Sequence, residues 1–247
     1  MADVYVVTGG ARGIGAATVR RLAADGHAVC FTWVSQQQQA ETLAAECRGH
    51  GVETVTVRAD VASKEDVLGL FEQVDRIGPL RGLVNNAGVL GPQGRVEDLD
   101  PSRIMRTLEV NVLGTLLCCR EAVARMSTRR GGAGGAIVNV SSRAAVLGAP
   151  NEYVDYAASK AAVDAITVGL AAEVAGEGIR VNGVRPGLIW TGIHATGGDA
   201  TRVERLGPNV PMGRGGEPEE VAAPIVWLLS DAASYVTGTT IDVAGGR

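Results

Sequence analysis

Short apolar segments alternate with helical patterns along the whole chain of 247 residues. Val- and Ile-rich segments predict strands at 4–8, 28–33, 54–58, 82–85, 136–140, 180–184 and 240–243. Apolar residues at helical spacing predict helices at about 13–24, 37–48, 64–76, 101–127, 152–175 and 217–229. Strands without a polar face that alternate with helices are typical of a parallel sheet covered on both sides. No linker-like change of composition divides the chain, so residues 1–247 predict one doubly wound α/β domain of about seven strands.

Composition and charge exclude several classes of function. The net charge is −4 and no extended basic run occurs, so no nucleic-acid partner is expected. The sequence contains no apolar run of 18 residues and no signal peptide at its start, which predicts a cytoplasmic protein without a membrane partner. Four cysteines and three histidines show no spacing typical of metal ligands, so we expect reduced thiols and no metal site.

A glycine-rich segment, TGGARGIG at 8–15, follows the first predicted strand and opens the first predicted helix. Glycines let the backbone turn tightly and approach a pyrophosphate, which then sits at the helix N-terminus. The spacing of Gly9, Gly13 and Gly15 differs from G-x-G-x-x-G, but the same physics applies. The segment predicts the phosphate site of a dinucleotide.

The end of the second predicted strand bears on the type of dinucleotide. An acidic residue usually holds the ribose 2′-hydroxyl of NAD at this point, but the sequence here reads TWVS, at 32–35. Arg12 in the glycine segment, with the hydroxyl groups of Thr32 and Ser35, could bind a 2′-phosphate. These residues favour NADP(H) over NAD(H), although Arg12 is also compatible with a solvated surface charge.

Two tyrosines precede a lysine in the stretch NEYVDYAASK, at 151–160. Asn151 is a candidate N-cap for the helix predicted over 152–175. Tyr156 and Lys160 are four residues apart and therefore neighbours on that helix, whereas Tyr153 lies seven residues before Lys160. The pair alone fits either an acid/base function or an ordinary solvated helix face.

Seven motifs occur in order along the chain: TGGARGIG at 8–15, Asp60-Val61, NNAG at 85–88, Asn111 in VNVLG, Ser141-Ser142, YAASK at 156–160 and PGLIWT at 186–191. Together they resemble the short-chain dehydrogenase/reductase family over essentially the whole chain. The resemblance implies a Rossmann-like fold and an oxidoreductase that interconverts a carbonyl and a secondary alcohol by hydride transfer.

The resemblance also implies catalytic roles. Tyr156 would be the general acid/base, and Lys160 would lower its pKa and bind the nicotinamide ribose. Ser142 would hold the substrate oxygen and stabilise its negative charge. Asn111 would help to hold a water molecule that relays protons from Lys160.

The residues expected to bind the cofactor come from five of these motifs and from the end of the second predicted strand. They comprise the glycine segment, the ends of the second and third strands, the NNAG motif, the catalytic helix and the PGLIWT motif: Gly9, Arg12, Gly13, Ile14, Gly15, Thr32, Ser35, Asp60, Val61, Asn86, Ala87, Gly88, Tyr156, Lys160, Pro186, Gly187, Ile189 and Thr191.

The substrate is much less constrained. Ser142 and Tyr156 are fourteen residues apart, one more than is usual in the family, which could reshape the substrate entrance near Tyr153. The Gly-rich segment at about 192–216, which includes His194, is expected to act as a lid that contacts substrate. The resemblance is nearest to 3-oxoacyl-carrier-protein reductases and sugar or polyol dehydrogenases.

Two further expectations concern activity and assembly. A dinucleotide-sensing protein without catalysis is the alternative from another class, but a sensor has no need of Asn111, Ser142, Tyr156 and Lys160 together. The family usually forms homotetramers through the long helices predicted at 101–127 and 152–175, and small residues on these helices suit close helix packing.

Overall fold

The protein, described by a computed structural model over residues 2–247, is built on a seven-stranded sheet in the order β3-β2-β1-β4-β5-β6-β7. All neighbouring strands are parallel. The strands are β1 Val4–Val7, β2 Ala28–Trp33, β3 Thr54–Arg58, β4 Leu80–Asn85, β5 Gly135–Val140, β6 Ile179–Pro186 and β7 Thr240–Val243. The predicted doubly wound α/β fold is confirmed.

Helices cover both faces of the sheet. They are α1 Gly13–Ala24, α2 Gln37–Arg48, α3 Lys64–Ile77, α4 Pro101–Leu108, α5 Gly114–Met126, α6 Ala144–Leu147, α7 Val154–Val174, α8 Ile193–Thr196, α9 Arg202–Leu206 and α10 Pro218–Leu229. The helix predicted over 101–127 is interrupted by a π-helical turn at Glu109–Leu113, between α4 and α5. Such turns are rare and frequently occur at functional sites.

Two buried clusters explain why the strands lack a polar face. Val7 and Phe31 pack on one side of the sheet with α1, α2 and α10. Val6 and Cys30, the residues just before them, pack on the other side with α3, α5 and α7. Successive side chains of a strand point to opposite faces, so each strand contributes to both clusters. All four cysteines are buried and free, in agreement with the prediction.

The segment between α6 and α7 turns sharply. Gly148, Ala149 and Asn151 have φ of 74°, 44° and 63°, in the left-handed region. The prediction that Asn151 caps the next helix is wrong, because its backbone belongs to this turn and α7 begins two residues later than expected, after Tyr153.

The order of the strands reverses direction between β1 and β4, because the chain builds outward first on one side and then on the other. Ligands of open α/β sheets bind in the crevice outside the carboxyl ends of the strands at such a switch point. None of the helices within residues 2–247 is long and apolar enough to cross a membrane.

Candidate active site

A cleft of about 740 Å³ runs across the carboxyl ends of the strands, from the end of β2 to the start of α7 and the 192–216 segment. Of the residues predicted to bind cofactor or substrate or to act in catalysis, the structure brings the following together along its wall: Gly9, Arg12, Gly13, Ile14, Thr32, Ser35, Asp60, Val61, Asn86, Ala87, Gly88, Ser142, Tyr153, Tyr156, Lys160, Pro186, Gly187, Ile189, Thr191 and His194. Gly15 and Asn111 lie behind the wall instead.

The glycine segment forms one end of the cleft. Gly9 and Gly13 have φ of 63° and 53°, which side chains rarely allow. At Gly15 a Cβ atom would stand 2.4 Å from the Gly9 carbonyl oxygen and 2.6 Å from Nδ2 of Asn86. That amide in turn donates to the carbonyl oxygens of Thr8 and Gly9, at 2.9 and 3.0 Å. The loop is therefore held by its own close packing, with its backbone open to a ligand.

The three residues predicted to contact a 2′-phosphate differ in their exposure. The Thr32 hydroxyl is buried and accepts a hydrogen bond of 2.9 Å from the Gly9 backbone N–H, so it supports the glycine loop from behind. Arg12 and Ser35 are exposed on the cleft wall. The first turn of α2, which begins here, contains no acidic residue.

Asp60 follows β3 and makes contacts beyond those expected. Its carboxylate accepts from the Ala62 backbone N–H at 3.0 Å and from the Arg106 guanidinium at 2.6 Å. Arg106, on α4, also lines the cleft. The carboxylate is thus held in one orientation before any ligand arrives, which suits a group that must accept a hydrogen bond from a base.

Tyr156, Lys160 and Ser142 meet at the other end. Lys160 is buried and donates to the Val140 carbonyl oxygen at 2.8 Å, while its Nζ lies 5.7 Å from the centre of the Tyr156 ring. The Ser142 hydroxyl accepts from the Ala144 backbone N–H at 3.1 Å. The predicted pair on one helix face and the serine from the end of β5 are therefore adjacent in space.

Burial shifts the pKa values of both Tyr156 and Lys160. It raises the pKa of Tyr156 to about 12, an effect that the hydrogen bond with Ser142 opposes. It also lowers the pKa of Lys160 to about 8, while the nearby Asp164 carboxylate acts in the opposite direction. At neutral pH the pair is therefore a neutral phenol beside an ammonium group.

Asn111 braces the site from behind. It lies in the π-helical turn, fully buried, where its Nδ2 donates to the Val89 carbonyl at 3.1 Å and to the Ser159 hydroxyl at 3.0 Å. Its Oδ1 accepts from the Val89 backbone N–H at 2.9 Å. These bonds join the segment after β4 to α7, so the side chain is committed to protein contacts. The predicted water relay stays a prediction.

The substrate end contains the two residues predicted to contact substrate. Tyr153 is buried and donates from its hydroxyl to the Gly197 carbonyl oxygen at 2.9 Å. Nε2 of His194 lies 3.0 Å from the Ile189 carbonyl oxygen, and burial lowers the pKa of the ring. Both side chains line the cleft, but both also hold the 192–216 segment to the rest of the protein.

Other residues of this end were not predicted. Leu90, Leu147 and Leu206 give it an apolar wall, and Glu152 and Arg202 add an ion pair. Glu152 directly precedes Tyr153, and Arg202 lies in the 192–216 segment that was expected to contact substrate. No sequence pattern pairs the two residues, which are fifty positions apart.

The arrangement combines a phosphate cradle with a proton donor. A Cβ on Gly13 would stand 3.1 Å from Thr191 Cγ2, so the glycine leaves open space between the loop and the segment after β6. Across residues 2–247 no three or more His, Cys, Asp or Glu side chains are grouped to hold a metal ion. The residues fit a dinucleotide laid from the end of β2 to Tyr156, with a polar acid/base group at its far end.

Comparison with known proteins gives the same picture. A family model described as enoyl-(acyl carrier protein) reductase matches residues 9–247. The uncharacterized oxidoreductase YgfF of Escherichia coli is 52% identical over 245 residues, which cover 99% of each chain. The cis-4-hydroxycyclohexanecarboxylate dehydrogenase of Sinomonas cyclohexanicum is 40% identical over 98% of this chain and 95% of its own length.

A solved structure is similar over almost the whole chain. The crystal structure of levodione reductase superposes with a TM-score of 0.91 at 32% identity, covering 99% of this chain and 96% of that one. The family match, the identity to the relatives and the shared fold all agree with the order of motifs along the sequence. The chain belongs to the short-chain dehydrogenase/reductase family of oxidoreductases.

Proposed function

We propose that the protein is an NADP(H)-dependent oxidoreductase that interconverts a carbonyl and a secondary alcohol, with Tyr156 as general acid/base. The observation that carries this proposal is the meeting of Tyr156, Ser142 and buried Lys160 in the same cleft as the glycine loop. A protein that only bound the dinucleotide would need the loop but not these three side chains.

The proton chemistry follows from the pKa values. The chemistry that the bound cofactor supplies is the donation or acceptance of hydride at its nicotinamide ring. A pKa of about 12 keeps Tyr156 protonated at neutral pH, ready to donate to a carbonyl oxygen. Ser142 would bond the same oxygen, and the Lys160 ammonium would stabilise the tyrosinate left behind. In the free enzyme Tyr156 is in the protonated form that carbonyl reduction requires; oxidation would require the positive nicotinamide to lower its pKa.

The preference for NADP(H) is supported by the residues around the end of β2. Ser35 is exposed there, and the Thr32 hydroxyl supports the glycine loop. Arg12 is exposed on the glycine loop itself, and a Cβ added at Gly192, after β6, would stand 3.5 Å from one of its guanidinium nitrogens. No acidic residue lies in the first turn of α2, whose backbone N–H groups attract anions. An acid at this point would repel a 2′-phosphate, whereas Arg12 would pair with it.

For the substrate we propose a small ketone or secondary alcohol, with an alicyclic ring as the best candidate. Leu90, Leu147 and Leu206 give the substrate end an apolar wall. Two of the arginines there are paired, Arg202 with Glu152 and Arg143 with Asp242, and Arg247 also lines the cleft. Two of the similar proteins are named for cyclic substrates, a hydroxycyclohexanecarboxylate and levodione.

The test is the oxidation of NADPH, followed by absorbance, with a matched set of carbonyl compounds. The set contains cyclohexanone derivatives and cyclic diones, a 3-oxoacyl thioester, and aldose and ketose sugars. We expect turnover with cyclic ketones and roughly 100-fold or greater loss in Tyr156→Phe, since proton transfer commonly contributes 10²–10⁴ in rate. Tyr235→Phe, at a fully exposed tyrosine outside the cleft, is the matched control, and it should keep the activity.

Two outcomes would contradict the proposal. If Tyr156→Phe retains substantial activity, another group transfers the proton. If the thioester or a sugar is preferred over every cyclic ketone by kcat/KM, the substrate class is wrong although the reaction type stands. NADPH binding to Tyr156→Phe, measured by fluorescence, should stay close to that of the wild type.

The assembly is a separate part of the proposal. The helices α5 and α7 expose Leu116 and Val168, at 46% and 57%, beside a groove of about 520 Å³ between them. Apolar residues exposed along two neighbouring helices favour a homotetramer built on this face. Light scattering in solution would show a mass near four chains, and Leu116→Glu should lower it. The cytoplasmic location stays a prediction.

A further inference from the structure

An ion pair closes the substrate end of the cleft. The guanidinium of Arg202, on α9, donates to both carboxylate oxygens of Glu152, at 2.9 and 2.5 Å. The Arg202 side chain is 10% exposed and that of Glu152 is 31% exposed, so the pair is only partly screened by water. The bonding to Arg202 keeps the pKa of Glu152 below its usual range. The pair joins the 192–216 segment to the residues that directly precede the catalytic helix.

Further contacts reinforce the same junction. The Arg202 guanidinium stacks over the Tyr153 ring at 5.4 Å, and the Tyr153 hydroxyl bonds the Gly197 carbonyl oxygen. The Gly94 backbone N–H donates to the Glu152 carbonyl oxygen at 3.0 Å. Residues 152–153 thus bond two segments, around Gly94 and Gly197, that are also joined to each other by a hydrogen bond of 3.2 Å from the Gln93 backbone N–H to the Gly197 carbonyl oxygen.

This junction differs from an exposed ion pair because the Arg202 guanidinium is nearly buried. Removing Glu152 would leave a nearly buried guanidinium without its carboxylate, which is costly, whereas exposed ion pairs contribute little. A useful contrast lies on the same segment, where Arg205 pairs with Asp199. That pair stays within the segment and fastens it to nothing else.

We propose that Glu152 and Arg202 are positioning residues that latch the 192–216 segment over the substrate end, so that the pair controls substrate capture and not the hydride step. The latch is closed in the structure. An intact latch presents a preformed apolar wall, which lowers the entropic cost of substrate binding. Its link to substrate rests on the proposed function above, but the closure itself does not.

The first experiment measures closure in the free enzyme. Limited digestion with subtilisin, which does not depend on arginine, is followed by mass spectrometry at residues 192–216. We expect Glu152→Gln and Arg202→Gln to raise the initial cleavage rate by about tenfold, as local opening becomes easier. Arg205→Gln should leave it unchanged. The double variant Glu152→Arg/Arg202→Glu, which restores the pair in reverse, should recover much of the protection.

The second experiment uses a ketone that the wild type reduces. Glu152→Gln should raise KM by about tenfold with a much smaller change in kcat, the signature of lost binding that is equal in the ground state and the transition state. The charge-reversed double variant should recover KM in part. Thermal unfolding of each variant shows whether the remainder of the fold is intact.

The results separate the two proposals. Equal cleavage of Glu152→Gln and the wild type would overturn the latch, whatever the enzyme reduces. Faster cleavage with an unchanged KM would overturn its role in substrate capture. If no carbonyl compound is reduced at all, the proposed function fails, while the cleavage comparison still decides whether the segment is latched.

Discussion

The two ends of the cleft are held together by different kinds of contact. At the dinucleotide end, the loop is fixed by its backbone: no Cβ fits at Gly15, and the side chains of Asn86 and Thr32 bond backbone atoms of Thr8 and Gly9. At the substrate end, side chains bond other side chains, as Glu152 bonds Arg202.

This difference indicates which end of the cleft can tolerate amino-acid substitutions. A loop fixed by glycine backbone geometry has few tolerated substitutions, so it suits a constant ligand such as a dinucleotide. Walls made of side-chain pairs on loops can be altered one pair at a time without disturbing the sheet. We therefore expect substitutions at the first end to abolish binding, and those at the second end to tune it.

The largest expected effect is that of Gly15→Ala. A Cβ would stand 2.4 Å from the Gly9 carbonyl oxygen, a distance that forces the loop backbone to move. Because overpacking typically costs about 1–3 kcal/mol or more, we expect a lower Tm and loss of NADPH binding in a fluorescence titration. In Gly69→Ala, the matched control on helix α3, the new Cβ meets nothing within 4 Å.

The control should bind NADPH normally and be slightly more stable, since alanine favours helices. Normal NADPH affinity in Gly15→Ala would break the comparison, because the backbone at this end would then be as adaptable as the side chains at the other.

The same contrast explains what the sequence could predict. Strand and helix patterns, the glycine loop and the Tyr156–Lys160 pair depend on residues close together in the chain, and the structure places them where they were expected. The order of seven motifs added Ser142, which comes from a different element. Local chemistry and motif order were thus sufficient for the fold and for the dinucleotide end of the cleft, but they missed Leu90, Leu206 and Arg202 at the substrate end.

The sequence did not predict features that depend on contacts between distant residues or on an unusual backbone conformation. No local pattern pairs Arg103 with Asp155, the buried neighbour of Tyr156, although the two bonds are both 3.1 Å. The π-helical turn around Asn111 looks like ordinary helix in the sequence. Asn151 has the chemistry of an N-cap, but its φ of 63° makes it part of the left-handed turn that precedes α7.

The second prediction tests whether side chains at the dinucleotide end matter beyond the loop backbone. Arg12→Ala should raise the Kd for NADPH by roughly 10- to 100-fold, because a charge-assisted bond to phosphate contributes about 1.5–3 kcal/mol. The Kd for NADH should change little. Titration of both cofactors by fluorescence measures the ratio, and equal effects on the two would remove the phosphate role of Arg12.

The third prediction concerns Asp164, one turn beyond Lys160 and bonded to Arg185 at 2.9 Å. Its carboxylate opposes the burial that lowers the pKa of Lys160 to about 8. Asp164→Asn should lower that pKa further, so the ammonium is lost earlier as pH rises. The alkaline limb of kcat/KM for carbonyl reduction then moves to lower pH.

Asp242→Asn is the matched control for this pH profile. Asp242 also contacts Arg185, at 3.5 Å, but it does not act on Lys160. Its removal should leave the alkaline limb in place. A limb that stays in place in Asp164→Asn as well would show that a group other than Lys160 titrates there.

The smallest expected effect lies at the left-handed turn between α6 and α7. Ala149 has φ of 44°, which costs alanine roughly 1–2 kcal/mol, whereas glycine adopts it freely. Glycine loses more entropy on folding, so Ala149→Gly should raise the free energy of unfolding by up to about 1 kcal/mol in urea. Asn151→Gly, at φ of 63°, should change little because asparagine tolerates this region. If Ala149→Gly is instead destabilising, the turn is held by contacts of the Ala149 methyl group, and the substrate end is packed as tightly as the glycine loop.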